Sequence, residues 1–431
     1  MRKWCWVLEL IPNTQHPIPK NKNMKPIFLT LLLLPFAVMA QDDDNALKYK
    51  YKGFVYTYHA VRSSGQWNYM SSRTCSRLES TLEKGGTSGF VSVNAVYNPI
   101  LEDESGLHLR EAYLEHSQGS WGLKAGKQIV TWGVADGLQV TDIISPMDYT
   151  EFLAEDYDDI RIPVNAIRLN YSGMNLKAEA IWVPVPEFFI LPTDSVNPWA
   201  ISMSGMYCQF DKLTPSKKLE NSEFGGRVSA YLSGIDFSVC ALHTWNKMPA
   251  FQLVDISADG LLEVAAHHHR MTMVGADLSA SVGQFVIRAE VAEYFNQQLS
   301  FVGYRSAPQL RNQTLALIGI DWYPGNDWTL MAQYCHTYTD GGTALLGCYR
   351  NAGMATANIS KALLRNTLKL SAYGRFDCAN DGAFFIRFNG DYQLTDDIAL
   401  TLGYDWFRAD AGMFAMYKDN SEIWVKVHFG F

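Results

Sequence analysis

From Tyr49 to the C-terminus, apolar and polar residues alternate with a period of two. In the last segment Ile423, Val425, Val427, Phe429 and Phe431 share one side, with Lys426 and His428 on the other. Phe285, Ile287, Ala289 and Val291 alternate with Arg288 and Glu290, and Ile398, Leu400, Leu402, Tyr404 and Trp406 alternate with Thr401 and Asp405. Successive side chains of a strand point to opposite faces, so this pattern describes strands with one apolar and one polar face. The pattern predicts strands near 49–58, 73–84, 87–98, 106–116, 120–127, 164–172, 174–184, 223–232, 234–245, 269–280, 283–295, 311–323, 327–339, 349–360, 366–377, 382–394, 397–408 and 420–431. That is about 18, with 16 the alternative.

The connections sharpen the picture. Short turns sit at Gly85-Gly86, Gly173, Ser233, Val282, Pro324-Gly325-Asn326 and Thr395-Asp396. They alternate with long segments at 59–72, 128–163, 185–222, 246–268 and 296–310. Barrels that cross a membrane have short turns at one rim and long loops at the other. Trp121, Trp182, Trp245, Trp322 with Tyr323, Trp328, and Trp406 with Phe407 lie at strand ends, where aromatic girdles form. The expected fold is therefore an all-β, transmembrane, antiparallel up-and-down barrel.

Composition agrees. Only 19% of residues are charged, against roughly a quarter in soluble domains, while 13% are aromatic. Past residue 40, polar residues interrupt every apolar run well short of the roughly 20 needed for a helical span. The formal net charge is −8, and residues 1–40 hold five basic residues against one acid, so the rest is more acidic still. That balance excludes nucleic acid as a partner. Residues 24–40, MKPIFLTLLLLPFAVMA, read as a signal peptide cleaved before Gln41. Residues 1–23 read as a spurious extension ahead of it, which leaves 41–431 as the barrel.

Little chemistry of other kinds is visible. The cysteines show no CxxC spacing, so no zinc site is expected, although a Cys348–Cys378 disulfide fits the external loops. His267-His268-His269 reads as a polar loop, because three consecutive side chains of an extended chain cannot converge on one ion. Nucleophile, phosphate-loop and HExxH motifs are missing from the sequence. No cofactor, metal or enzymatic activity is expected.

The most distinctive stretch is Gly126-Lys127-Gln128, then Trp132-Gly133, Asp136, and Asp142-Ile143-Ile144-Ser145-Pro146, closed by Arg161-Ile162-Pro163 and Ala166-Ile167-Arg168-Leu169. It resembles the signature of a porin-like outer-membrane family of unknown function. The resemblance implies an outer-membrane barrel of a Gram-negative bacterium and transport of hydrophobic or organic-acid compounds. It implies no catalytic residue.

The residues themselves point to a channel for small solutes. Segment 128–163 is the third external loop and is too long for a simple connector. Its Trp132, Ile143, Ile144, Pro146, Phe152 and Leu153 are too apolar for solvent, so it is expected to fold inward and narrow the pore. It carries Asp136, Asp142, Asp148, Glu151, Glu155, Asp156, Asp158 and Asp159. The expected inner wall offers Arg110, Lys127, Arg168, Lys177, Arg227, Arg288, Arg375 and Arg387. Facing charges of this kind set selectivity. A rival reading makes the apolar segment 181–201 a greasy entry for hydrophobic molecules, through Phe188 and Phe189. A third makes the chain an outer-membrane enzyme or a structural barrel. The ending, with Trp424, Phe429 and Phe431, resembles the signal read by the barrel-assembly machinery. Lipid and lipopolysaccharide are the expected surroundings, and a homotrimer is expected by analogy with porins.

Overall fold

The computed structural model describes residues 46–431 apart from 152, 204–205, 259, 301–304, 344–345 and 381. The leader and the extension before it lie outside the described residues. Eighteen strands, from Lys48–Arg62 to Glu422–Gly430, form one sheet. Consecutive barrel strands pair antiparallel, and the first closes on the last, with Phe54 opposite Gly430 and Arg62 opposite Glu422. Closure leaves no edge whose N–H and C=O groups lack partners, as a wall in hydrocarbon requires.

One face of the wall carries a broad apolar belt. Leu169, Val228, Val239, Val274, Ile287, Ile318, Leu370, Leu402 and Val427 are all exposed on it. A belt of this extent far exceeds the few hundred Å² of apolar patch that a water-soluble surface tolerates. The barrel therefore spans a membrane, with this face on the lipid side.

Each predicted strand coincides with one observed strand, and the ends differ by at most four residues. The first runs to Arg62 and the second starts at Tyr69, so their connection is shorter than the sequence suggests. Pairing continues there past the apolar belt, where alternation no longer marks the strand. The loops 185–222 and 246–268 are not plain connections. They contain strands Met206–Leu213, Ala250–Ile256 and Leu262–His267 and the short Ser202–Met203, which form a second, four-stranded sheet. Leu262–His267 runs parallel to Met206–Leu213. Cys208, Leu262 and Val264 gather with Phe210, Phe251 and Leu253 into a small core of their own.

Two expectations need correction. Phe407 is not in an outer girdle; it is buried inside the barrel against Phe385 and Trp199. Trp424, of opposite parity to Phe429 and Phe431 as the alternation requires, lies inward, stacked on Tyr58 at 5.4 Å. In both cases parity decides, because an odd offset along a strand puts two side chains on opposite faces. Cys348 and Cys378 are both free thiols. Trp121, Trp182, Trp322, Tyr323, Trp328 and Trp406 are exposed, as girdle residues should be. The C-terminal Phe431 seals the seam, exchanging two 2.9 Å backbone bonds with Gly53. Its ring fills the space where a Cβ on Gly53 would stand.

Candidate functional site

The chain leaves the wall after Gln128 and rejoins it at Val164. The 35 residues between are held by side chains from the face opposite the apolar belt. Val130, Trp132, Leu138, Val140, Ile143 and Ile144 form one buried cluster with wall residues that include Ile181, Leu242, Met273, Ala292 and Leu317. Each large apolar side chain buried in this way contributes about 1.5–3 kcal/mol.

Polar contacts fix the register of this half of the segment. The Glu290 carboxylate accepts the backbone N–H groups of Val134, Ala135 and Thr141 and the Thr141 hydroxyl. Gly133 makes this possible. Its φ is +90°, and a Cβ there would stand 2.6 Å from Glu290 Oε1. Trp132 Nε1 donates to Glu179 at 2.9 Å, and Tyr294 donates to the Val140 carbonyl at 2.6 Å. Gln333 brackets Asp136 by accepting its N–H and donating to its C=O. Within the segment, Arg161 meets Asp142 at 2.6 Å. Burial pushes the Asp142 carboxyl up to about 6 in spite of that cation.

The second half is anchored by charge. Glu151 accepts from Ser71 at 2.6 Å and from Asn98 at 2.6 Å, and lies 3.2 Å from Arg73. Arg73 also meets Glu155 at 2.8 Å. Burial raises Glu155 to about 7, with Arg73 opposing the shift. Asp159 pairs with Arg77 at 2.7 Å and Arg110 at 3.3 Å. Arg387 donates to the Leu153 carbonyl. Of the remaining acids, Asp156 reaches Lys426 at 3.3 Å, Asp158 pairs with Arg161 at 3.1 Å, and Asp148 accepts the Thr150 N–H.

The expected wall cations have a different arrangement from two facing rows. Four have carboxylate partners on the wall itself: Arg168 with Glu179, Arg227 with Asp277, Arg288 with Asp321, and Arg387 with Asp405. Arg110 alone of the eight forms an ion pair with the segment, and Arg288 reaches it only through the Val134 carbonyl. Lys127 donates to the Leu109 carbonyl, and Lys177 lies 5.0 Å over the Tyr231 ring. Arg375 lies within electrostatic reach of Tyr149 and Tyr157. A desolvated charge is costly without a near partner, and the partners nearest to hand are on neighbouring strands.

Sequence reasoning missed Arg73, Arg77, Glu179, Glu290, Tyr294 and Gln333. A signal was present. Near the long loops, strands turn apolar on both faces, as in Ile181-Trp182-Val183 and Leu315-Ala316-Leu317-Ile318. An inner face needs apolar residues only where something apolar covers it. Toward the short turns the inner face is polar, and a cavity of about 420 Å³ lies there beside Thr131 and Trp132, lined by Arg168, Asn170, Lys177 and Arg227 among others.

The external segments are packed as well. Phe188 lies 4.1 Å from the His268 ring, Phe189 stacks on Tyr149, and Trp199 is buried against Phe407 and Tyr417. The three histidines turn to three different partners: Gln252, the Asn246 carbonyl and the Arg270 carbonyl. Among the described residues, no group of His, Cys, Asp and Glu is placed to hold a metal ion.

The fold is similar to that of OccAB3 of Acinetobacter baumannii, with a TM-score of 0.50 and 11% identity over 89% of this chain and 99% of that one. The outer-membrane channel DcaP of the same organism gives a TM-score of 0.47 and 10% identity over 91% of this chain and all of that one. OmpF of Salmonella typhi, solved with daunomycin, gives 0.47 and 10% over 90% and 98%. A search of curated proteins returns no significant match. Residues 98–413 match the family described as a protein of unknown function, DUF1302. That is well over half of the chain, and the transmembrane barrel described above therefore belongs to the DUF1302 family.

Proposed function

We propose that this protein is a channel of the Gram-negative outer membrane, in which segment 129–163 crosses the lumen and restricts passage to small polar solutes. The observation that carries the reading is the Glu290 carboxylate, an inward wall group that captures the backbone of Val134, Ala135 and Thr141. A segment tied to the wall at Glu290 and also at Arg73, Arg77 and Arg387 bridges strands far apart around the barrel. The polar lining beneath it suits hydrated solutes. Phe188 and Phe189 are engaged by His268 and Tyr149, which favours this route over a greasy entry at 181–201. Lipid, lipopolysaccharide and the assembly machinery that reads the C-terminal strand complete the expected partners.

The test is conductance of the refolded protein in a planar bilayer, with and without residues 134–156. The intact channel gives small steps, and the deletion variant gives steps several-fold larger. Equal conductance in two folded barrels would mean that the segment does not lie in the path.

A further inference from the structure

Segment 129–163 carries eight acids, and Asp136 alone among them has no side-chain partner among the described residues. Its carboxylate is exposed. Of the eight cations expected on the inner wall, Arg375 alone has no acceptor, ion partner or aromatic ring against it among the described residues, and its Nε is buried without a hydrogen bond. The fold sets these two uncommitted charges side by side. Gln333, which brackets the Asp136 backbone at 3.0 and 2.8 Å, stands opposite Thr356, and Thr356 stands opposite Arg375. Three neighbouring strands span only about 10 Å. Tyr373, the next inward residue on the strand of Arg375, reaches toward the segment. Its hydroxyl lies 2.9 Å from where a Cβ on Gly137 would stand, and it is within electrostatic reach of both charges.

The anchoring leaves this part of the lumen free. The segment is tied to Gln333 on one side and, through the Leu153 carbonyl, to Arg387 on the other. Among the described residues no hydrogen bond or ion pair joins it to the two strands between, Asn351–Leu363 and Leu368–Asp377. A solute passing there meets Asp136 on one side and Arg375 on the other. A guanidinium takes a carboxylate through two parallel N–H bonds, and a carboxylate takes an ammonium. An anion drawn to Arg375 is repelled by Asp136, and a cation drawn to Asp136 is repelled by Arg375. A molecule that carries both groups answers both charges at once.

We infer that the gap between Asp136 and Arg375 is a site for small zwitterions of the amino-acid class, which the channel passes in preference to uncharged solutes of the same size. The inference rests on the channel reading above and names its solute. The test is osmotic swelling of liposomes carrying the refolded protein, against protein-free liposomes, in isosmotic threonine and in isosmotic erythritol, an uncharged solute of nearly equal size. Wild type is expected to admit threonine several-fold faster than erythritol. Asp136→Asn and Arg375→Gln should each bring the two rates together and leave the erythritol rate nearly unchanged. Neither side chain holds the fold through an ion pair, so both variants should keep heat-modifiable mobility; if one misfolds, the other decides alone. Equal rates for the two solutes in wild type, or a threonine preference that survives in a folded variant, overturns the inference while erythritol entry keeps the channel reading standing. No swelling in either solute removes the channel reading and the zwitterion site with it.

Discussion

The two halves of the inner wall between Val164 and Gly325 follow opposite rules. Toward the short turns it carries ion pairs: Arg168 with Glu179, Arg227 with Asp277, and Arg288 with Asp321. Toward the long loops it carries Ile181, Leu242, Met273, Ala292 and Leu317. The first half can stand in water. The second would be an apolar surface on both sides of one sheet, which is stable only when covered, and segment 129–163 covers it. The contrast teaches that the inner wall is a vestibule at one level and a protein core at the other.

The comparison breaks most plainly if the covering segment is removed. Deleting residues 134–156 is expected to raise conductance several-fold, and it also exposes the apolar half, so the variant should bind a hydrophobic dye that wild type does not. Next comes the anchor. Glu290→Ala removes an acceptor shared by three N–H groups and a hydroxyl, and each hydrogen bond to a charged group is worth about 1.5–3 kcal/mol. We expect larger or flickering steps and a lower urea midpoint, with partial rescue by Glu290→Gln. No change in either quantity would reduce Glu290 to a bystander.

On the other side of the segment, Arg73→Met leaves Glu151 and Glu155 without their cation. Breaking such a buried pair costs about 3–5 kcal/mol, so the folded barrel should melt at lower urea, and Arg73→Lys should recover part of the loss. The acid end also sets a pH dependence. Glu155 titrates near 7 in the folded chain, above its ordinary 4.5, so the folded state holds an extra proton between those values. Its contribution to stability is therefore present below about pH 4.5 and is lost as pH rises through 7. The cluster also gains one positive charge as pH falls from 8 to 6. The anion-to-cation permeability ratio should rise over that window, and Glu155→Gln should abolish the step. The smallest effect is expected in the vestibule. Lys177→Ala removes an exposed cation whose described contact is the Tyr231 ring, and should shift reversal potential by only a few millivolts without changing stability.

Much of this was legible in the residues. A period of two, turns alternating in length and a low charge content determine a membrane barrel of about 18 strands, because alternation is a local property that each strand carries in itself. Trp132, Ile143 and Ile144 likewise mark segment 128–163 as one that must be buried. Which acid meets which base was not legible. Glu290 and Val134 lie 156 residues apart, and only closure of the sheet brings them together. Arg227 finds Asp277 two strands away because neighbouring strands bring their inward side chains within reach. The small outer sheet was hidden for the same reason, since its parallel pair joins strands from two different loops. The sequence by itself determined the strands and their two faces. Only the tertiary structure decided what each inner residue touches, because those partners are set by the circumference of the barrel and the path of one loop, which no local pattern encodes.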